Sequence, residues 1–327
     1  MLLAGDIGGT KTLLGLFERD RGRPRTLVVR EYATLDFDSF DELTQVFLDD
    51  TRAASSLTAV CIGVAGPVTG LVARLTNVPW LADLSTLADR LGDCPVQLLN
   101  DLEAMAHAVT VLEPHEIAVL QDGVRVAGGN AAIIAAGTGL GEALLHYVDG
   151  RYVPSASEGG HADFAARTPR ELALVEQLTA IHGRVDNDRV ISGPGLVNIF
   201  RFTHGATGAG VVCPAIGSDV ENGEMPAAIS ACALSGECEQ CAEALDMFVE
   251  AYGAEAGNLA LRSVARGGVY IGGGIAPKVL AALESGPFLE AFCGKAPLSD
   301  LLRTMPVSVI LNPAAGLLGA AVRASGM

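Results

Sequence analysis

Apolar and polar positions along the chain follow two rhythms: short apolar runs that fit buried strands, and apolar residues three and four apart that fit one face of a helix. Residues 2–5 and 12–17 form apolar strands on either side of the turn Asp6-Ile-Gly-Gly-Thr10, and 27–32 forms a third. The spacing predicts a helix over 37–54, a buried strand over 57–64 ending in Ala65-Gly-Pro67, a helix over 84–91, a strand over 96–99 and a helix over 102–111. Alternation of strand and helix places the chain in the α/β class.

A second cycle opens like the first. A shift of 131 positions lays Leu2-Leu-Ala-Gly-Asp-Ile-Gly8 over Ile133-Ile-Ala-Ala-Gly-Thr-Gly139, and Leu13-Leu14 over Leu144-Leu145. Two strand-turn-strand units, each opening one half of the chain, are what a duplicated two-domain protein shows. Beyond them the pattern predicts a loop at 155–165, helices at 170–182 and 195–203, and surface loops at 205–228. Ser235 is read as the cap of a long helix running to about 264, with Leu245, Phe248, Val249 and Tyr252 on its apolar face. Strands at 268–271 and 307–311 and a last helix at 316–323 complete the pattern. No low-complexity linker separates the halves, so they are expected to share an interface.

Composition narrows the function. The 327 residues are enough for about two domains. With 50% hydrophobic residues the chain is too apolar for intrinsic disorder, and 38 acidic against 22 basic residues, a net charge of −16, argue against nucleic acid as a partner. The longest uncharged runs are broken by glycine, asparagine and threonine and fall short of a membrane span, and Met1-Leu-Leu-Ala-Gly-Asp6 lacks the basic leader and apolar core of a secretory signal. Seven scattered cysteines, an odd number, fit a reducing cytoplasm better than a disulfide framework.

The glycines carry the candidate chemistry. Gly5-Asp-Ile-Gly-Gly-Thr-Lys-Thr12 nearly fits the phosphate-loop pattern, but such a loop must open a helix, and Thr12-Leu-Leu-Gly-Leu-Phe17 continues as a strand. A glycine hairpin can still point backbone N–H groups at an anion, and Gly137-Thr-Gly-Leu-Gly141 offers a second such turn. Each alone is equally an ordinary hairpin; together they could grip one polyphosphate from the two sides of a cleft. Gly272-Gly-Gly-Ile-Ala-Pro277 is either a plain strand-to-helix turn or backbone laid against a nucleotide. Asn100-Asp101 follows a strand and precedes a helix, where α/β proteins bind ligands, although Asp101 could equally cap that helix. Glu158-Gly-Gly-His161 sets an acid and an imidazole on a tight loop, which serves local hydrogen bonding as well as an active site.

These segments, with Gly66-Pro67, Thr76-Asn-Val-Pro-Trp80, Glu158-Gly-Gly-His-Ala-Asp-Phe164 and Ser192-Gly-Pro-Gly-Leu-Val197, occur together and in the order found in bacterial ATP-dependent glucokinases, which the chain resembles from Asp6 to Gly316-Leu-Leu-Gly319. Those enzymes belong to the actin, Hsp70 and sugar-kinase superfamily. The resemblance implies duplicated ribonuclease-H-like domains of the actin-like ATPase fold with a cleft between them. The expected division is a small domain of 1–110 plus 312–327 and a large one of 111–311.

The resemblance also implies a function, the phosphorylation of glucose at its 6-hydroxyl by ATP and Mg2+. Asp101 is then the general base, since phosphoryl transfer leaves the protein mainly positioning and charge stabilisation to supply. Asn100, Asp101, Glu158, His161 and Asp188 would bind the sugar. Asp6 would hold Mg2+ through water. Gly8, Gly9, Thr10, Lys11, Gly137, Thr138 and Gly139 would meet the phosphates, and Gly273 and Gly274 the adenosine. Asp188 stands where the family has glutamate, one methylene shorter, which bears on sugar affinity. A homodimer is implied by the family alone. The alternatives are a kinase for another hexose or an N-acetylhexosamine, a polyphosphate-using kinase, and an actin-like ATP-binding module without sugar chemistry. The last has no use for Asn100-Asp101 together with Glu158-Gly-Gly-His161. A sugar-sensing regulator of related fold would carry a helix-turn-helix ahead of Asp6.

Cys238-x-x-Cys241, with Cys232 nearby, raises the question of a metal. A zinc-bearing sister group of sugar kinases has a denser Cys-x-Cys-Gly-x-x-Gly-x-Cys cluster, absent here. A single pair without a histidine or second pair at ligand spacing favours reduced cysteines on a helix. His107, His115, His146, His182 and His204 fall in no motif.

Overall fold

The computed structural model describes residues 1–75, 78–205, 213–217 and 223–327. Thr76 and Asn77, and 206–212 and 218–222 of the expected surface loops, lie outside the described residues. The chain divides into two compact units, one of Met1–Glu116, Tyr152–Ala156 and Asn312–Met327, the other of Ile117–Arg151 and Ser157–Leu311.

In the first unit, β1 (Leu2–Ile7) and β2 (Lys11–Glu18) form an antiparallel hairpin closed by Ile7 opposite Thr12. The strand that follows the turn upholds the case against a phosphate-loop helix. β3 (Arg25–Ala33) pairs outside β2, and β4 (Ala59–Val64) runs parallel to β1. β5 (Val68–Thr69), β6 (Val72–Arg74) and β7 (Leu81–Asp83) form a small separate sheet that the sequence pattern does not reveal, since two or three residues are too few to show a period. β8 (Val96–Asn100) lies parallel to β4 and completes the order β3-β2-β1-β4-β8. The helices are α1 (Phe40–Thr51), capped by Ser39 through the Glu42 N–H, α2 (Ser85–Leu91) and α3 (Asp101–Ala108).

The second unit repeats the scheme. After β9 (Ile117–Gln121), β10 (Ala131–Ala136) and β11 (Leu140–Val148) form an antiparallel hairpin closed by Ala136 opposite Leu140. Next in sequence comes β12 (Arg151–Ser157), of which Tyr152–Ala156 group with the first unit, and then, in the second, α4 (Pro169–His182), α5 (Gly193–Thr203), α6 (Met225–Ser235) and α7 (Glu239–Ser263). β13 (Gly268–Gly272) runs parallel to β10 and β14 (Val307–Ile310) parallel to β13. Three short helices, α8 (Leu280–Glu284), α9 (Pro287–Cys293) and α10 (Ser299–Arg303), lie between them in sequence. Strand order β2-β1-β4-β8 in one unit is thus matched by β11-β10-β13-β14 in the other, the duplication that the sequence predicts.

Ser235 does not cap the long helix. It is the last residue of α6, its hydroxyl donating to the Cys232 carbonyl, and α7 starts at Glu239 with Cys238 as its N-cap. The apolar face of α7 is as expected, with Leu245, Phe248, Val249 and Tyr252 all buried in the second unit's core.

The chain then returns to the first unit as α11 (Ala315–Ser325). Leu317, Ala320, Ala321 and Ala324, spaced by three and four, bury one stripe of this helix against Leu2, Ala4, Cys61 and Ala104. The small residues let it press close. A Cβ on Gly319 would overlap the Ala104 carbonyl of α3, and one on Gly316 would lie 2.5 Å from Asp6 Oδ2.

Candidate active site

In the first unit the candidate residues gather at the carboxyl ends of β1 and β8. The turn after β1 is closed by the Gly8 N–H donating to the Lys11 carbonyl at 2.9 Å. Thr34 braces it from outside, its hydroxyl donating to the Gly8 carbonyl and its N–H to the Thr10 carbonyl. Thr10 and Lys11 are exposed. The Lys11 ammonium is ion-paired with Glu31 on β3 at 2.6 Å, a partner that sequence spacing does not show.

Asn100 and Asp101 share the end of β8 and the start of α3. Asn100, not Asp101, is the N-cap, its Oδ1 accepting the N–H groups of Leu102 and Glu103 while its Nδ2 donates to the Gly66 carbonyl. Gly66 of the Gly-Pro motif therefore helps to fix the Asn100 side chain. Asp101 is the first helical residue, and its Oδ1 accepts the Leu102 N–H at 2.8 Å.

Asp6 is the most perturbed acid of this group. Burial, and then the charge of Asp101, push its carboxyl up to about 7, with Lys11 pulling the other way. An acid raised by the charge of a neighbouring acid is short of positive charge, which is the condition a divalent cation relieves.

In the second unit, Glu158-Gly-Gly-His161 makes a single tight turn in which the His161 N–H donates to the Glu158 carbonyl and the Ala162 N–H to the Gly159 carbonyl. Both glycines sit in close quarters, Gly160 against backbone. A Cβ on Gly159 would overlap the Glu142 carboxylate, and one on Gly160 the Leu140 carbonyl. His161 Nδ1 lies 3.2 Å from Asp186 Oδ2, so Asp186 orients the imidazole. Asp188 Oδ1 accepts the Leu140 N–H, its own N–H donates to the Gly160 carbonyl, and its carbonyl accepts the Ser192 hydroxyl. Sequence separates the Gly137 turn, the Glu158 loop and the Ser192-Gly-Pro-Gly segment; Asp188 touches all three.

A pocket of about 590 Å³ in this unit brings Gly137 and Thr138 of one turn together with Gly274 of another, walled by Asn198 and Arg201 of α5 and by Lys278. Its size is that of a nucleotide-class ligand site. Gly273, at φ +84° beside the Ala136 carbonyl, adopts a backbone that favours glycine, and no side chain would fit there. Thr138 and Gly274 line the pocket, whereas Gly139 faces Asp188.

One residue of this assembly is invisible to motif reading. The fully buried Tyr252 hydroxyl accepts the Ala136 N–H and sits 3.3 Å from the Ile134 and Gly272 carbonyls, which bridges the ends of β10 and β13 just where both run into their glycine turns. The sequence marks Tyr252 as an apolar-face residue of a helix; a tyrosine buried among aliphatic positions is the signal that its hydroxyl has a partner.

Comparison with known proteins agrees with this layout. A family model described as Glucokinase matches residues 3–327. The glucokinase of Trichormus variabilis is 39% identical over 339 residues, covering 99% of both chains. Among solved structures, a glucokinase from an Antarctic psychrotroph superposes with a TM-score of 0.86 at 29% identity, covering 100% of this chain and 99% of that one. A ROK-family glucokinase from Streptomyces griseus, solved with glucose and AMPPNP, shares the two-domain actin-like ATPase fold at a TM-score of 0.63 and 22% identity, covering 100% and 99%. The chain belongs to the glucokinase family.

Proposed function

We propose that the protein transfers the γ-phosphoryl group of ATP to the 6-hydroxyl of glucose, giving glucose 6-phosphate and ADP. The observation that carries this reading is the pocket in which the Gly137-Thr138 turn and Gly274 meet, in a chain whose relatives along its whole length are glucokinases. The solved relative that holds glucose and AMPPNP supports the choice of sugar and donor.

From the first unit, Asp101 acts as the base that takes the hydroxyl proton, and Asn100 binds the sugar. Asn100 is held by Gly66 and by the start of α3, so its amide is set before substrate arrives. From the second unit, Glu158, His161 and Asp188 bind sugar hydroxyls, with Asp186 fixing the imidazole. Acceptors and donors that a bound sugar covers discriminate against sugars that leave them unpaired. Gly137, Thr138 and Gly139 offer backbone N–H groups to phosphates, as do Gly8, Gly9 and Thr10, and Gly273 and Gly274 take the adenosine side. Lys11 must exchange Glu31 for phosphate to contribute.

Asp6 holds Mg2+ through water in this reading, and its raised carboxyl beside Asp101 fits a cation. The ion supplies charge neutralisation of the transferring phosphates. A reducing cytoplasm accords with seven unpaired cysteines. Among the described residues no helix is long and apolar enough to cross a membrane.

The test is a coupled assay over a panel of hexoses, N-acetylhexosamines and phosphoryl donors. Glucose with MgATP is expected to give the highest kcat/KM. Turnover with no sugar would overturn the kinase reading, and a preference for an N-acetylhexosamine or for polyphosphate would replace the substrate named here.

A further inference from the structure

The cysteine pair that sequence spacing leaves without partners acquires two in the fold. Cys238 is the N-cap of α7 and Cys241 lies in its first turn, while His204 follows α5 and Cys213 lies beyond it in sequence. The His204 nitrogen and the three sulfurs all lie within 4.8 Å of one another. Cys213 Sγ is 3.9 Å from Cys241 Sγ, and Cys238 Sγ is 3.6 Å from His204 Nε2. A tetrahedral zinc ion, with bonds of about 2.3 Å to sulfur and about 2.0 Å to nitrogen, sets two sulfurs about 3.8 Å apart and a sulfur and a nitrogen about 3.5 Å apart. These two edges match. A disulfide needs its sulfurs at about 2.05 Å, and all of these cysteines are free.

We propose that His204, Cys213, Cys238 and Cys241 bind one structural zinc ion.

The imidazole is already prepared for this role. His204 Nδ1 lies 2.8 Å from the Phe200 carbonyl, which can only accept, so the proton sits on Nδ1 and the Nε2 lone pair faces Cys238. Metal-binding histidines are oriented in the same way, by giving their other N–H to an oxygen. Cys213 and Cys241 are buried, Cys238 and His204 half-buried, so the site is enclosed on the protein side yet reachable by an ion. Two of the sulfurs lie at the N-terminal end of the 25-residue α7, where the helix dipole favours thiolate. Three thiolates and an imidazole are a soft set that selects zinc over Mg2+ or Ca2+, and four protein ligands leave no position for a substrate. The ion would fasten the end of α5 to the start of α7. α5 walls the pocket through Asn198 and Arg201, so the metal would hold that wall in place.

The test begins with the intact chain, expressed with zinc, desalted and analysed by plasma mass spectrometry. About one zinc per chain is expected, released in step with mercurial titration of its thiols. Replacement by Co2+ should give tetrahedral visible bands and near-ultraviolet thiolate charge-transfer bands. His204→Ala and Cys238→Ser should each lose most of the metal and lower Tm, whereas Cys293→Ser should keep it. Protein that holds no zinc, and shows no thiolate bands when titrated with Co2+, overturns the proposal. So does metal that survives in the His204→Ala/Cys238→Ser double variant. Should the variants fold poorly, the titrations of the unaltered chain still decide.

Discussion

Asp188 accepts the backbone N–H of Leu140 at 2.6 Å. Its carboxylate also lies 2.9 Å from the place where a Cβ on Gly139 would sit. An acid that the family resemblance assigns to the sugar is thus also the support of a glycine turn that lines the nucleotide-sized pocket, and its backbone N–H holds the loop carrying Glu158 and His161. One residue connects the Gly137 turn and the Glu158 loop of the second unit.

Asp188→Ala should therefore raise KM for glucose and for ATP together. A hydrogen bond to a charged group contributes ~1.5–3 kcal/mol, which corresponds to roughly 10- to 100-fold. A change confined to the sugar KM would mean that the contact with Leu140 does not shape the pocket.

Asp6→Asn should abolish turnover and yet stabilise the protein above about pH 5. The Asp6 carboxyl is about 7 in the fold against 3.8 for an ordinary aspartate. Unfolding then releases a proton at pH between these values, so the group's contribution to stability is full below about 4 and is lost as pH rises through about 7. Asparagine removes that loss. Thermal melts in the absence of Mg2+ should show the variant's gain on the wild type growing from ~1–2 kcal/mol at pH 5 to ~4 kcal/mol at pH 7–8, with little gain at pH 4. Equal melting at all pH values would show that the carboxylate is not strained.

For Asp101→Asn the proposed role as base predicts a fall in kcat of about 10²-fold or more, with glucose binding by calorimetry little changed. Asparagine keeps the oxygen that accepts the Leu102 N–H, so the start of α3 should survive. Residual turnover near the wild-type rate would remove Asp101 from the chemistry.

Tyr252→Phe leaves the Ala136 N–H buried without its partner between the two glycine turns. A cost of ~1–3 kcal/mol in stability is expected, with a rise in KM for ATP larger than that for glucose. The separation of the two constants distinguishes a brace of the nucleotide turns from a general loss of packing.

Gly319→Ala should cost more than a typical surface change, because the added methyl meets the Ala104 carbonyl of α3. Overpacking of this kind destabilises by ~1–3 kcal/mol or more. As α3 starts at Asp101, kcat should fall as well; stable and fully active protein would show that α3 and α11 can separate without consequence.

Much of this organisation is legible in sequence because glycines and strand periods are local signals. The two hairpins and the apolar face of α7 follow from runs a few residues long. What stays hidden is contact at a distance. Asp186 beside His161, Glu31 beside Lys11, the Tyr252 hydroxyl between two strand ends, and Cys213 beside Cys241 each join residues between 20 and 120 positions apart. Ser235 misled for the opposite reason, since serine before an acidic, amphipathic stretch is a good local start signal, and the chain instead used it to close α6. The small β5-β6-β7 sheet was lost because its strands are shorter than the period that would reveal them.

The return of α11 to the first unit bears on how the chain comes off the ribosome. Residues up to Glu116 are made first, but Leu317, Ala320, Ala321 and Ala324, which close one side of their sheet, follow only after residues 117–311. At ordinary rates of synthesis of about 5–20 residues per second, that delay is roughly 10–40 s. During it the faces of Leu2, Ala4, Cys61 and Ala104 that α11 will cover remain exposed, while the second unit has everything it needs to fold. The part of the molecule that carries Asp6 and Asp101 is begun first and finished last.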